Sequence, residues 1–438
     1  MTRRQPRRTC KTSASATSCS PRARRSSRST PASRRCTRWQ RRCTAPSETA
    51  SRWSSTCPTS CNGRRPIPSP SISAGSPHRY RELDDGTLDL AVGLLASARR
   101  PIVLAGRGAI GEEARTAALV LAERIGAPLA TTLKARDLFR GEPHDLGLFG
   151  VTAGPATFEA IAAADCIVSL GARLNFLTTD KGALLEGKSL VYCDTDPSRI
   201  GLPSNREVGV LGDAAAVAGA LVSWLDRAEI EPTSFREQLT IDSPAPTAVP
   251  ERPTDGPVHI RTALQWLDRT IAADRCLVVD GGRFIVETYR NLPVSHPRWY
   301  VHTMNFGSIG LGTAAAVGAS FGAPGRPVLL VCGDGGFMLG GLADFNAAVR
   351  HGVDLVVAVL DDGAYGAEHV QLRRRDMDPR LSVFEWPDFA TLAGALGGQG
   401  VTVRSAGDLP AAAEAVANRD RPLLIDFKLD PDDVPSLR

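Results

Sequence analysis

The sequence predicts an α/β protein with two doubly wound parallel-sheet domains after a disordered N-terminal segment. Three observations lead there. Short apolar runs alternate with helix-length stretches, the pattern of strands buried on both faces of a parallel sheet. Several of those runs end in Gly and Asp, the strand exits where open α/β sheets bind ligands. Residues 1–70 contain no Leu, Val or Phe, and only Met1 and Ile67 among the other large aliphatics, so that segment has nothing with which to build a core.

Composition divides the chain the same way. At 438 residues and 42% hydrophobic content it is long enough for two sizeable cores, and no apolar stretch approaches the roughly 20 residues of a membrane span. The net charge of +5 averages two unlike pieces: residues 1–70 hold 17 Lys+Arg and one acid, Glu48, which leaves a body near −11. Binding to nucleic acid is therefore not expected of the body. Cys10, Cys19, Cys36, Cys43, Cys57 and Cys61 lie in the basic segment without metal-ligand spacing and with no His before His78. Cys166, Cys193, Cys276 and Cys332 sit singly in strand-like runs, as small buried residues of a reduced, cytoplasmic protein do. The expected division is 1–77 disordered and basic, 78–230 a central domain, 231–256 a linker, and 257–438 the last domain.

In the central domain a helical stretch from Leu83 to Ala98 leads into the strand and glycine turn Arg100 to Gly108, then a helix from Glu112 to Ile125. The runs Asp165 to Gly171 and Ser189 to Asp194 read as further strands. Gly106-Arg107-Gly108 together with Asp194 is a weak dinucleotide signal, because the full GxGxxG is absent.

The last domain carries the stronger chemistry. Its first strand, Cys276 to Val279, exits into Asp280-Gly281-Gly282-Arg283, a turn and helix cap beside the expected ligand entrance. Asn305-Phe306-Gly307-Ser308-Ile309-Gly310 opens an Ala/Gly-rich helical stretch to Phe321. The run Pro327 to Cys332 exits into Gly333-Asp334-Gly335-Gly336, a helix follows to His351, and a further apolar run ends in Asp361-Asp362-Gly363-Ala364-Tyr365-Gly366. Magnesium takes hard oxygen ligands in octahedral geometry and commonly holds phosphate oxygens as well. Asp334, Asp362 and the Ala364 carbonyl could supply the protein side of such a shell, with Asp361 as the alternative to Asp362. Gly335 and Gly336 let backbone N–H groups approach a diphosphate at a helix start. His302, Glu368 and His369 flank this region as candidate proton carriers, with solvated surface as their commoner fate. The run Arg373-Arg374-Arg375 reads as a solvated helix face.

The order and spacing of the motifs from Asn305 to Gly366 resemble those of the thiamine diphosphate-dependent decarboxylase and carboligase superfamily, which includes acetolactate synthase. The resemblance implies thiamine diphosphate and Mg2+ as cofactors. It makes Gly307, Ser308, Ile309, Gly333, Gly335, Gly336 and Tyr365 cofactor-binding, with Ile309 supporting the bent cofactor and the Gly307 carbonyl meeting the aminopyrimidine. It makes Asp334 and Asp362 metal ligands, although the family usually shows Asn at the place of Asp361 and an interval one shorter than the 28 residues here. It further implies a small 2-oxoacid substrate and a homodimer or homotetramer. Gly171 to Asn175 and Asp194 to Pro197 resemble the family's central domain, which in some members binds FAD or ADP. Asn175-Phe176-Leu177-Thr178-Thr179 stands where acetolactate synthases show an arginine/aspartate-rich stretch, so the domain is expected to serve mainly as scaffold, with FAD the minor alternative.

The same resemblance bears on residues 1–77. A basic arm for nucleic acid and an organelle transit peptide are two readings of that segment. The third is translation out of register: shifting each triplet by one base lets Ala50 to Asn62 encode KPVVVDVPNVMQ, which resembles the end of the family's first, pyrimidine-binding domain. That domain carries the activating glutamate of the family. No position here inherits the role, and the expectation is a chain of little or no turnover on its own.

Overall fold

The computed structural model describes residues 83–239, 248–250, 255–304 and 307–433, all of which fall in one unit of the chain, 77–438. The readings placed on residues 1–77, including the out-of-register translation, lie outside the described residues, as do Asn305 and Phe306.

Two six-stranded sheets, each wholly parallel, carry the fold. The first contains β1 (Pro101–Ala105), β2 (Leu129–Thr131), β3 (Asp145–Leu148), β4 (Cys166–Leu170), β5 (Ser189–Asp194) and β6 (Glu207–Leu211), in the order β3-β2-β1-β4-β5-β6. The second contains β7 (Cys276–Val279), β8 (Tyr300–His302), β9 (Val328–Gly333), β10 (Leu355–Asp361), β11 (Gln399–Val403) and β12 (Leu423–Lys428), in the order β11-β12-β10-β9-β7-β8.

The strands are apolar throughout because both faces are covered. In the first sheet Val103, Ala105, Val168 and Val191 pack against α1 (Asp85–Ser97) and α2 (Glu112–Ile125), while Ile102, Leu104 and Ile167 pack on the opposite side with Phe149 and Ile161 of α3 (Pro155–Ala163). Further along, α4 (Ala214–Arg227) packs beside α1, its start fixed by the Asp213 side chain, which accepts from the Ala215 N–H. The second sheet alternates likewise. Leu277, Leu329, Val356 and Ile425 face α5 (Ile260–Thr270), and Val278, Leu330, Val357 and Leu424 face Phe337, Phe345 and Phe389.

Connectivity places a crevice in the second sheet. After β7 the chain enters α6 (Ile285–Asn291), whose Tyr289 packs on the face of the sheet that α5 covers. After β9 it enters a helix on the other face, which also receives Ala316 of α7 (Gly312–Gly322). β7 and β9 are neighbours whose following helices leave to opposite faces, the switch point at which such sheets open toward a ligand.

Where the sequence led to an expected element, most are observed, and α2 has the expected bounds. Two helices differ. The stretch expected from Asn305 is helical only from Gly312, because Gly307 and Gly310 adopt φ of 77° and 84° and form a loop. The helix expected from Gly336 begins at Asp334, with a turn Asp334–Gly336, a π-helical segment Phe337–Gly341, and then α8 (Leu342–His351). A π segment of this kind is often found at functional sites.

The two sheets are joined through a buried arginine. Arg136 donates from Nη2 to the carbonyls of Tyr289 and Leu292, at 2.7 and 2.8 Å, at the end of α6, and lies 5.1 Å from the Tyr300 ring centre. Charged hydrogen bonds of this type contribute about 1.5–3 kcal/mol each. Among the described residues no helix is long and apolar enough to cross a membrane.

Gly106 shows how closely the strand-exit turns of the first sheet pack. A Cβ there would stand 2.2 Å from the Ala172 Cα, a backbone atom that cannot step aside. Gly106→Ala is expected to cost about 1–3 kcal/mol, read as a lower melting midpoint in thermal unfolding.

Candidate active site

The carboxyl ends of β7, β9, β10 and β12 bring together Asp280, Asp334, Asp361, Asp362 and Lys428. Asp334 and Asp362 form the centre of the group. Both are buried, at 3% and 9% exposure, and both accept from one donor: the Ala364 N–H lies 3.1 Å from Asp334 Oδ2 and 3.1 Å from Asp362 Oδ1. Trp386 donates from Nε1 to Asp334 Oδ2 at 2.8 Å. Arg283, also buried, donates from Nε and Nη2 to Asp362 Oδ2 at 3.0 and 2.7 Å, and its Nη2 also meets the Pro431 carbonyl.

Asp361 is engaged elsewhere. Its Oδ1 accepts from the Gly363 N–H at 3.0 Å, and its Oδ2 pairs with Lys428, its register neighbour on β12. Of the two adjacent acids, Asp362 is therefore the one that shares a donor with Asp334. Ala364 meets both acids through its N–H.

A glycine-lined loop closes the other side. Gly310 donates its N–H to Asp280 Oδ2 at 2.8 Å, while Asp280 Oδ1 accepts from Thr303 Oγ1 at 2.6 Å and from the Gly281 N–H at 2.8 Å. A Cβ at Gly340, in the π segment, would stand 2.2 Å from the Gly310 carbonyl oxygen, so the loop 307–310 lies directly on the helix that Asp334 begins. Ile309 is half-buried between the exit of β7 and that helix, with its Cγ2 3.3 Å from where a Gly281 Cβ would be. Ser308 is half-buried too, with Oγ bonded to the Ile309 carbonyl at 3.0 Å, and Gly307 is exposed.

Tyr365 lies across the start of the helix, where a Gly335 Cβ would meet its ring at 2.4 Å. Its ring packs on Phe384, and Phe384 stacks on Trp386, each at 4.7 Å between ring centres. Asp361, Asp362, Gly363, Phe384, Trp386, Lys428 and Leu429 line an open pocket of ≈ 260 Å³. Gly333 ends β9, with Asp334 at the first helical position after it.

From the sequence, Asp280 to Arg283 is either part of the ligand entrance or an ordinary turn and helix cap, and nothing there connects Arg283 with Asp362. A buried acid at a strand exit followed by Gly-Gly was the available signal for the first; 79 residues separate the second pair. His369 is buried, against the expectation of solvated surface, with Nε2 3.1 Å from Asp432 Oδ1. Glu368 is exposed on α9 (Gly366–Arg374). His302 is half-buried at the end of β8 and stacked on Tyr300; burial, then the positive charge of Lys134, lowers its imidazole to about 4, so it stands neutral. Arg373 at the end of α9 is largely exposed, near Asp432. Asp194 is used in its own turn, accepting from the Asp196 N–H.

Burial and like charge leave the central acids short of positive charge. Burial, then the charges of Asp362 and Asp361, pushes the Asp334 carboxyl up to about 8. Burial also raises Asp362, with Arg283 acting in the opposite sense. Two desolvated carboxylates held on a common donor are hard oxygen ligands of the kind Mg2+ takes with a few backbone or phosphate oxygens. Among the described residues no group of three or more His, Cys, Asp or Glu is arranged for a metal, so this pair needs oxygens from elsewhere to complete a shell.

A raised carboxylate pKa has a definite linkage sign. Without a cation, the folded chain holds a proton that the unfolded chain releases, so the stabilising contribution is complete below about pH 4 and is lost as pH rises toward 8. In EDTA, Asp334→Asn is expected to melt several degrees above the unsubstituted chain at pH 8, with the gap closing toward pH 5 and narrowing when Mg2+ is added. Thermal unfolding across that pH range measures it.

Comparison with known proteins agrees with this arrangement. Residues 88–221 match the family described as thiamine pyrophosphate enzyme, central domain, and residues 280–427 match thiamine pyrophosphate enzyme, C-terminal TPP binding domain. A protein provisionally named acetolactate synthase large subunit in Mycobacterium tuberculosis is 28% identical over 357 residues, covering 78% of this chain and 62% of that protein. A sulfoacetaldehyde acetyltransferase of Alcaligenes xylosoxydans xylosoxydans is 28% identical over 367 residues, covering 76% and 60%. The acetolactate synthase large subunit of Corynebacterium glutamicum is 27% identical over 356 residues, covering 78% and 56%. The chain thus spans about three fifths of the length of these curated relatives. With both domain matches in order along two parallel sheets, the chain belongs to the thiamine pyrophosphate-dependent enzymes, of which it carries the central and C-terminal domains.

Proposed function

We propose that this chain provides the diphosphate- and Mg2+-holding half of a thiamine diphosphate site that acts on a small 2-oxoacid by decarboxylation, with or without carboligation, in the manner of acetolactate synthase. The observation that carries the reading is the buried pair Asp334 and Asp362 on the Ala364 N–H, beside a helix that begins Asp334-Gly335-Gly336.

In this reading Asp334 and Asp362 hold the metal, and the Ala364 carbonyl completes the protein share. The N–H groups at the helix start by Gly335 and Gly336 face the diphosphate. Gly307, Ser308 and Ile309 support the ring end, with Asp280 fixing their loop through Gly310. Gly333 and Tyr365 border the diphosphate. Bound thiamine diphosphate supplies the electron sink for the pair left when the carboxylate departs. The protein side would contribute position: Phe384 and Trp386 line the pocket beside Asp362, and Arg283 would hold that acid in place.

The domain limits carried forward are 78–230, 231–256 and 257–438, with the central domain as scaffold rather than an FAD site. A homodimer or homotetramer in the cytoplasm is the assembly that fits a shared family site and free buried cysteines at 166, 193, 276 and 332. No described residue stands as the family's activating glutamate, so little turnover is expected of this chain on its own.

Calorimetric titration tests the reading. Thiamine diphosphate is expected to bind with Mg2+ present and not in EDTA, with affinity at least about tenfold weaker in Asp334→Ala, and pyruvate turnover by the chain alone to stay near background. Metal-independent binding, or rapid pyruvate turnover, would contradict it.

A further inference from the structure

One feature near the site is not used by the acids that meet the metal. Lys428, the last residue of β12, lies between two carboxylates: it pairs with Asp361 Oδ2 and lies 2.8 Å from Asp426 Oδ2. Asp426 is fully buried and also accepts the Phe389 N–H at 3.2 Å, while the Lys428 ammonium lies 5.5 Å from the Phe389 ring centre. The Leu429 N–H donates to the Asp361 carbonyl at 2.7 Å, so side chain and backbone of β12 both grip the residue before Asp362.

An acid at 361 sets a problem for a metal and diphosphate site. Asp361 and Asp362 are adjacent, both buried, and Asp334 is close by. A third free carboxylate there would repel a diphosphate and compete with Asp362 for the cation. A lysine in register on the neighbouring strand reduces both effects, since it offsets part of the charge, shared with Asp426, and turns the carboxylate toward β12.

We propose that Lys428 is a positioning residue, which by holding Asp361 against β12 leaves Asp362 as the acid that meets the metal with Asp334. This rests on the proposed function for what the turn serves; the Asp361–Lys428 coupling itself is a property of the chain without ligand.

A double-mutant cycle of the whole chain, Asp361→Asn, Lys428→Met and both together, separates these levels. Thermal unfolding without metal is expected to place Lys428→Met several degrees below the unsubstituted chain, because two buried acids lose their partner. Asp361→Asn alone should change little, since Lys428 keeps Asp426, and the double variant should recover a good part of the loss. Binding of the Mn2+–thiamine diphosphate complex, followed by electron paramagnetic resonance, should weaken about tenfold in Lys428→Met through repulsion of the diphosphate and return in the double variant, a rescue that a purely structural lysine would not give. Additive melting shifts, or unchanged affinity of Lys428→Met for the Mn2+–thiamine diphosphate complex, would overturn the assignment. Absence of Mn2+ binding in the unsubstituted chain alongside a coupled melting cycle would instead count against the proposed function while leaving the pairing in place.

Discussion

Two carboxylates, Asp334 and Asp362, share one backbone N–H at the carboxyl ends of adjacent parallel strands, and much of the second sheet is arranged to make that arrangement tolerable. Burying two acids side by side is unfavourable unless they are hydrogen-bonded or given a cation. The chain meets part of the demand itself. Ala364 donates to both, Trp386 to one and Arg283 to the other. What remains shows in the Asp334 carboxyl, pushed up to about 8 by burial and by its neighbours. Under the proposed function, a divalent cation supplies the charge that answers that remainder.

The same constraint explains features that look unrelated. Arg283 must come from the exit of β7 to reach Asp362, and that exit also carries Asp280, which holds Gly310 and with it the loop that lies on the helix of Asp334. The end of α6, which follows Arg283, is held in turn by Arg136 from the turn after β2. Thus the segment that follows β2 braces the element that supplies a charge to the site. On the opposite flank, Lys428 is shared by Asp361 and Asp426, so Arg283 and Lys428 offset only part of the acid gathered at the four strand ends and leave the pair in a net negative surrounding.

Much of this was legible in the sequence. Apolar runs of five to seven residues with glycine and aspartate at their ends gave β1, β4, β9 and β10, because strands covered on both faces have no polar alternation to disguise them. The family was legible because its motifs are local: Gly307 to Gly310, Asp334 to Gly336 and Asp361 to Gly366 each lie within a few consecutive residues. The contacts that set the electrostatics were not. Arg283 with Asp362, Lys428 with Asp361, and Trp386 with Asp334 join residues from different strands and loops, and no periodicity reports such pairs. His369 was misjudged for the same reason, since its burial depends on Asp432 of the C-terminal segment and on Ser382. The late start of α7 follows from the positive φ of Gly307 and Gly310, which a reading based on Ala and Gly content could not see.

The central claim is a cation held between Asp334 and Asp362, with Asp361 turned away. Crystals of the chain grown with Mn2+ and thiamine diphosphate, and measured at the manganese absorption edge, locate that ion without reference to activity. The account predicts one anomalous peak within ligand distance of both the Asp334 and Asp362 carboxylates, and none on Asp361. A peak coordinated by Asp361 in place of Asp362, or an ion away from this pair, would contradict it.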